Sequence, residues 1–171
     1  GHFTSPHLID ITERIKINEK PISVQYINKF INLYKKDIIK IGASFFEILS
    51  VMAVDYFANK KVDIAILETG LGGRLDSITA MNASGLIITP ISIDHTSILG
   101  NTLEQITKEK AGAISKYNQW VISSKQKLTS LSGSHIELSQ GRVLCLIASN
   151  TLSSAVVKTS NSLGHSFKAR L

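Results

Sequence analysis

A single cysteine, Cys145, leaves the chain no partner for an internal disulfide, which excludes the disulfide-stapled class of small secreted domains and suits a reducing cytosol. It lies in the apolar run Val143 to Ile147, where a small buried side chain is expected. No apolar run approaches the roughly 18 residues of a membrane span. The opening residues lack the basic and then apolar order of a secretory leader, so a cytoplasmic protein with no membrane partner is expected. Neither G-x-x-x-x-G-K-[ST] nor G-x-G-x-x-G occurs, which leaves out both the phosphate-cradling loop and the dinucleotide fingerprint. Internal repeats and low-complexity tracts are absent too. The net charge is +6, from 19 Lys and Arg against 13 Asp and Glu. Pairs such as Lys35-Lys36 and Lys60-Lys61 stand in helical stretches without interleaved aromatics, so they read as solvated surface and not as a nucleic-acid interface. A positive balance also suits ATP and polyanionic substrates.

What remains is an ordinary soluble composition, 43% hydrophobic and 19% charged, long enough for one domain with a sizeable core. Apolar runs alternate with amphipathic stretches. Ile27, Phe30, Ile31 and Tyr34 recur at helical spacing between Ser23 and about Lys36. Ser44-Phe45-Phe46-Glu47 opens a second helix as a capping box, in which the serine covers an orphan amide and the glutamate reaches back. Val62 to Leu67 and Ser84 to Pro90 read as strands, nearly continuous in apolar residues as a sheet covered on both faces requires. Thr102 starts a third helix with Gln105 in capping-box position. Gln119 to Ser123 and Arg142 to Ile147 complete the strands, with a weak helix between them that Gly133 interrupts. The order predicts an α/β fold, a mostly parallel sheet flanked by helices with right-handed crossovers. Residues 149–171, rich in Ser, Thr and Asn, are expected to be an irregular tail.

Three residues carry the chemistry. Glu68 closes an apolar run before Gly70-Leu71-Gly72-Gly73, His95 follows Asp94 after Ile91 to Ile93, and Lys110 sits in Glu109-Lys110-Ala111-Gly112. Ligands of an open parallel sheet collect beyond the carboxyl ends of its strands, so a carboxylate, an imidazole and a lysine there are the parts of an anion and metal site. A strand-end glutamate can bind Mg²⁺ through oxygen. Each residue also has a plain alternative: a strand-to-loop turn for the glycines, a locally bonded histidine, a solvated helix lysine.

These strings, with 27 residues from Glu68 to His95 and 15 from His95 to Lys110, resemble the central domain of folylpolyglutamate synthase and dihydrofolate synthase, the folate branch of the Mur-ligase-like amide ligases. The likeness runs from about Gly1 to Val121 and includes Thr4-Ser5-Pro6-His7-Leu8, Glu13-Arg14-Ile15, Ser44 to Glu47 and Gly73-Arg74-Leu75-Asp76. It implies a P-loop NTPase-like domain and an ATP-dependent ligase that joins L-glutamate to the carboxyl of a folate or of dihydropteroate. It further implies Ser5, Glu68 and His95 as Mg²⁺ ligands and Lys110 as a carbamylated catalytic lysine. Ser44, Phe45, Phe46, Glu47, Leu75, Asp76 and Ser77 would line the pteroate site, and the full-length protein would be a monomer.

The family's phosphate-binding glycine loop is missing, so residues 1–148 are expected to form a partial domain truncated at both ends. Such a chain alone is expected to be inactive as a ligase. Leu163-Gly164-His165 is at most a degenerate echo of a later family motif. Two alternatives stand beside the folate ligase: a non-catalytic remnant or binding module of that family, and a ligase of cell-wall precursors, which shares the glutamate, the Asp-His pair and the lysine.

Overall fold

The computed structural model describes residues 1–123 and the backbone of 142–147. The expected tail and the weak helix before Arg142 lie outside the described residues, as does the side chain of Cys145. The chain opens with β1 (His2–Phe3), β2 (Ile15–Ile17) and β3 (Lys20–Pro21), followed by α1 (Val24–Ile41) and α2 (Phe45–Asn59). Then come β4 (Ile64–Glu68), β5 (Gly85–Ile88), the short α3 (Thr96–Leu99), α4 (Leu103–Ala111), β6 (Trp120–Ser123) and β7 (Arg142–Ile147). No helix among the described residues is long and apolar enough to cross a membrane.

The seven strands of the described residues form one sheet in the order β3-β2-β1-β4-β7-β5-β6. Strands β1, β4, β7, β5 and β6 pair parallel, whereas β2 and β3 add an antiparallel edge, so the sheet is mixed. That edge is the main departure from the expected architecture. Two- and three-residue strands have no periodicity to read, and they exist because β1 completes the ladder of β4, with Phe3 opposite Leu67. Register also levels the carboxyl ends of two strands. Leu146 of β7 pairs with Glu68 on one side and Ile87 on the other, so β4 and β5 end within a residue of one another.

Local chemistry sets the helix limits. Ser23 accepts the Tyr26 amide at the start of α1, and Gly42, at φ 67°, stops the helix by donating to the carbonyls of Ile38 and Ile39. The helix therefore runs past Lys36, as far as the first residue that adopts a left-handed conformation at no steric cost. In α2 the capping box is present on both sides: Ser44 Oγ accepts the Glu47 amide at 3.3 Å and Glu47 Oε2 accepts the Ser44 amide at 2.7 Å. The same arrangement joins Thr102 and Gln105 at the start of α4. A half-buried network ties the first two helices together. Tyr26 donates to Asp55 Oδ2 at 2.7 Å and accepts from Asn59 at 2.9 Å. Burial and the Asp55 carboxylate push the phenol up to about 12.

The core lies where α2 and the loop helices cover the sheet. Phe3, Leu49, Met52, Leu67, Leu86 and Ile106 are each at most 2% exposed. Truncating any of them to alanine removes about 2–5 kcal/mol of stability. This core holds the carboxyl edge of β4 rigid, and the chemistry-bearing residues stand on that edge.

Candidate active site

Glu68 is the last residue of β4 and is 6% exposed. Its Oε2 accepts the Ser5 backbone amide at 3.0 Å, which ties the segment leaving β1 to the end of β4. Ser5 and Glu68 are therefore neighbours. Burial raises the Glu68 carboxyl above the ordinary glutamate range, and the Ser5 amide offsets only part of that.

The chain then turns through Gly70-Leu71-Gly72-Gly73, and Asp76 closes the turn. Asp76 Oδ2 accepts the amides of Gly70 at 2.8 Å and Leu71 at 2.9 Å, while Oδ1 accepts that of Ile78 at 2.9 Å. This loop docks on the end of α4. Arg74 donates its amide to the Glu109 carbonyl at 2.9 Å, one of the carbonyls a helix end leaves without an internal partner. The Arg74 side chain grips the Glu109 carboxylate, Nε at 3.1 and 3.2 Å and Nη2 at 3.1 Å. The approach is close enough to require glycine, since a Cβ at Gly73 would stand 2.6 Å from the Lys110 carbonyl oxygen. A Cβ at Gly112 would meet that of Arg74 at 2.6 Å.

Lys110, whose carbonyl the docked loop approaches, is only 6% exposed although it lies on a short helix. A solvated helix lysine is thereby excluded. Burial lowers its amine below the ordinary lysine range, and the nearby Asp94 carboxylate opposes that in part. Asp94 also accepts the His95 amide on Oδ1 at 2.7 Å, with Oδ2 3.7 Å from His95 Nε2. His95 caps α3 in a left-handed conformation, φ 49°, and its carbonyl accepts the amides of Ile98 and Leu99. Asp94 is thus the link between the histidine and the lysine. Among the described residues, no group of three or more His, Cys, Asp or Glu side chains gathers as a metal cluster. The donors proposed for Mg²⁺ are two such side chains and a hydroxyl.

Of the other expected contact residues, Ser44 and Glu47 spend their polar groups on the capping box. Phe46 packs on Phe3 with ring centres 5.6 Å apart and fills the space over Gly70. Ser77 Oγ lies 3.0 Å from Ser50 Oγ. Asp76 has the turn to hold. Phe45 and Leu75 are different, 54% and 81% exposed, and offer apolar surface to a ligand. Sequence reasoning gave no role to Arg14, which is buried beside Phe45, or to Asp94. No periodicity or motif signals a residue whose burial depends on segments distant along the chain.

Comparison with known proteins agrees with this frame. The chain is 43% identical over 121 residues to the dihydrofolate synthase/folylpolyglutamate synthase of Bacillus subtilis, covering 67% of this chain and 28% of that protein. It is 42% identical over 122 residues to the dihydrofolate synthetase of Saccharomyces cerevisiae, covering 68% and 28%. The matched stretch belongs to the folylpolyglutamate synthase and dihydrofolate synthase family. The chain spans about 28% of the length of these curated relatives. Among solved structures of the family, E. coli FolC in complex with ADP superposes with a TM-score of 0.68 at 32% identity, over 72% of this chain and 30% of that one. Mycobacterium tuberculosis folylpolyglutamate synthase complexed with ADP and AMPPCP gives 0.63 at 38%, over 75% and 31%. No protein-family model matches the chain.

The electrostatics of this family segment make a direct prediction. A carboxyl whose folded pKa is raised favours the fold in its protonated form, and that contribution is lost as pH rises through the raised value. Ionised Glu68 therefore destabilises the chain at neutral pH. Glu68→Gln should raise the melting temperature at pH 7.5, and the gain should shrink to nothing below about pH 4, where both states are protonated. Thermal melts across pH check this; a variant less stable than wild type at pH 7.5 contradicts it.

Proposed function

We propose that the chain is part of an ATP-dependent ligase that adds L-glutamate to the carboxyl of a folate, with dihydropteroate as a second acceptor. ATP would phosphorylate the acceptor carboxyl, releasing ADP. The glutamate amine would then attack the acyl phosphate and expel phosphate, so that an amide bond replaces the acyl–oxygen bond. The observation that carries this is the burial of Glu68 at the end of β4 and of Lys110 in the last turn of α4, joined by a loop that requires glycine at Gly73. Solved relatives in complex with AMPPCP and folate, and with DHPP and ADP, support the substrate classes.

Ser5 and Glu68 offer the oxygen donors that Mg²⁺ takes, and His95, a softer imidazole donor, completes the set that the family resemblance implies. The first two are joined at one edge by the 3.0 Å bond from the Ser5 amide, and the buried carboxylate favours a cation beside it. When bound, the ion would supply charge neutralisation to the phosphoryl group. Lys110 is proposed to be carbamylated. The neutral amine, which burial favours, would add dissolved carbon dioxide and release a proton to solvent, leaving a carboxylate-like group in place of a cation beside Asp94. Phe45 and Leu75 are the exposed apolar members of the pteroate-facing set. The matched segment is proposed to be one part of a central domain that acts together with a phosphate-binding loop and a second domain.

A segment exchange tests the function. Placing the matched stretch of this chain in the B. subtilis relative should give an enzyme that releases ADP in proportion to added folate and glutamate. A folded exchange protein with no turnover contradicts the proposal. In that exchange protein Lys110→Ala should lose most turnover, with partial recovery in added acetate, which can stand in for the carbamate oxygens. Lys110→Arg should not recover, because guanidinium stays cationic. Turnover of Lys110→Ala equal to the unsubstituted exchange protein removes Lys110 from the chemistry.

A further inference from the structure

Arg14 has no place in the roles above, yet it is only 8% exposed. No carboxylate lies within 4.0 Å of it among the described residues. Burial disfavours its charge, and a buried cation without an anion needs another source of stabilisation. Two groups provide it. Arg14 Nε donates to His7 Nδ1 at 2.8 Å, and its guanidinium carbon lies 5.3 Å from the centre of the Phe45 ring. The segment carrying His7 is itself held firmly. The Glu13 carboxylate accepts the amides of Leu8, Ile9 and Asp10 at 2.9–3.1 Å, and Thr4 donates to the Arg14 carbonyl at 2.9 Å. Phe45 is the first residue of α2 and is 54% exposed. An aromatic side chain so exposed would ordinarily sample several rotamers, and ordering it opposes ligand binding.

We infer that Arg14 is a positioning residue: held by His7, it covers one face of the Phe45 ring and fixes the other face as a platform for a flat heteroaromatic ring of the substrate. The inference rests on the pteroate-site reading of Phe45 given above and adds the residue that makes the platform rigid. Arg14 acts through Phe45, so its contribution to binding must vanish when the ring is gone.

A double-mutant cycle on the 171-residue chain tests this, with pteroic acid as the probe and the dissociation constant read by isothermal titration. Phe45→Ala should weaken binding by about tenfold or more, the scale of lost aromatic stacking. Arg14→Ala should weaken it by about fivefold, and Arg14→Lys, which keeps a cation over the ring, should recover part of that. Arg14→Ala added to Phe45→Ala should cost nothing further. Circular dichroism monitors folding, and if Arg14→Ala does not fold, the cycle is run with Arg14→Lys. Additive losses overturn the inference and leave the ligase reading intact, because they make Arg14 either a direct contact or plain packing. Failure of the wild-type chain to bind pteroic acid also overturns it, and the segment exchange, which does not depend on this result, then decides the ligase reading separately.

Discussion

One carboxylate organises the edge on which everything else depends. Asp76 gathers three backbone amides, and the turn it closes runs from the end of β4 to the end of α4. A loop of this composition, with three glycines in four residues, would otherwise be costly to order, because glycine loses more conformational freedom than any other residue. Held in this way, it presents Gly73 to the Lys110 carbonyl and lets Arg74 close over Glu109.

Burial of ionisable groups is a cost that the fold alone does not require. Glu68 and Lys110 are both shifted toward their neutral forms, mainly by loss of water. Apolar residues of similar size would pack at such positions with less penalty. Side chains kept in this condition at a sheet edge, with Asp94 and His95 on the neighbouring loop, are better accounted for by chemistry than by stability.

Features set by local rules were legible in the sequence. The capping boxes at Ser44-Glu47 and Thr102-Gln105 need only four residues to declare themselves, and both form as expected. Strands β4 and β5 declare themselves by apolar runs, and Glu68 stands at the end of one of them. The antiparallel edge did not, since β1, β2 and β3 hold two or three residues each and owe their existence to pairing. The state of Lys110 was equally hidden: within α4 it reads as an ordinary helix lysine, and its burial and its neighbour Asp94 appear only in the folded chain. Arg14 was matched as part of a string and given no task, because its partners His7 and Phe45 meet it only once β1 and α2 are in place.

The central claim is that burial lowers the Lys110 amine so that it can carry a carbamate beside Asp94. The most direct measurement is a carbon-13 NMR spectrum of the chain in labelled bicarbonate. The account predicts a carbamate carbonyl resonance that strengthens with added Mg²⁺ and is absent from Lys110→Arg. A spectrum in which wild type and Lys110→Arg are indistinguishable at every Mg²⁺ concentration would contradict it.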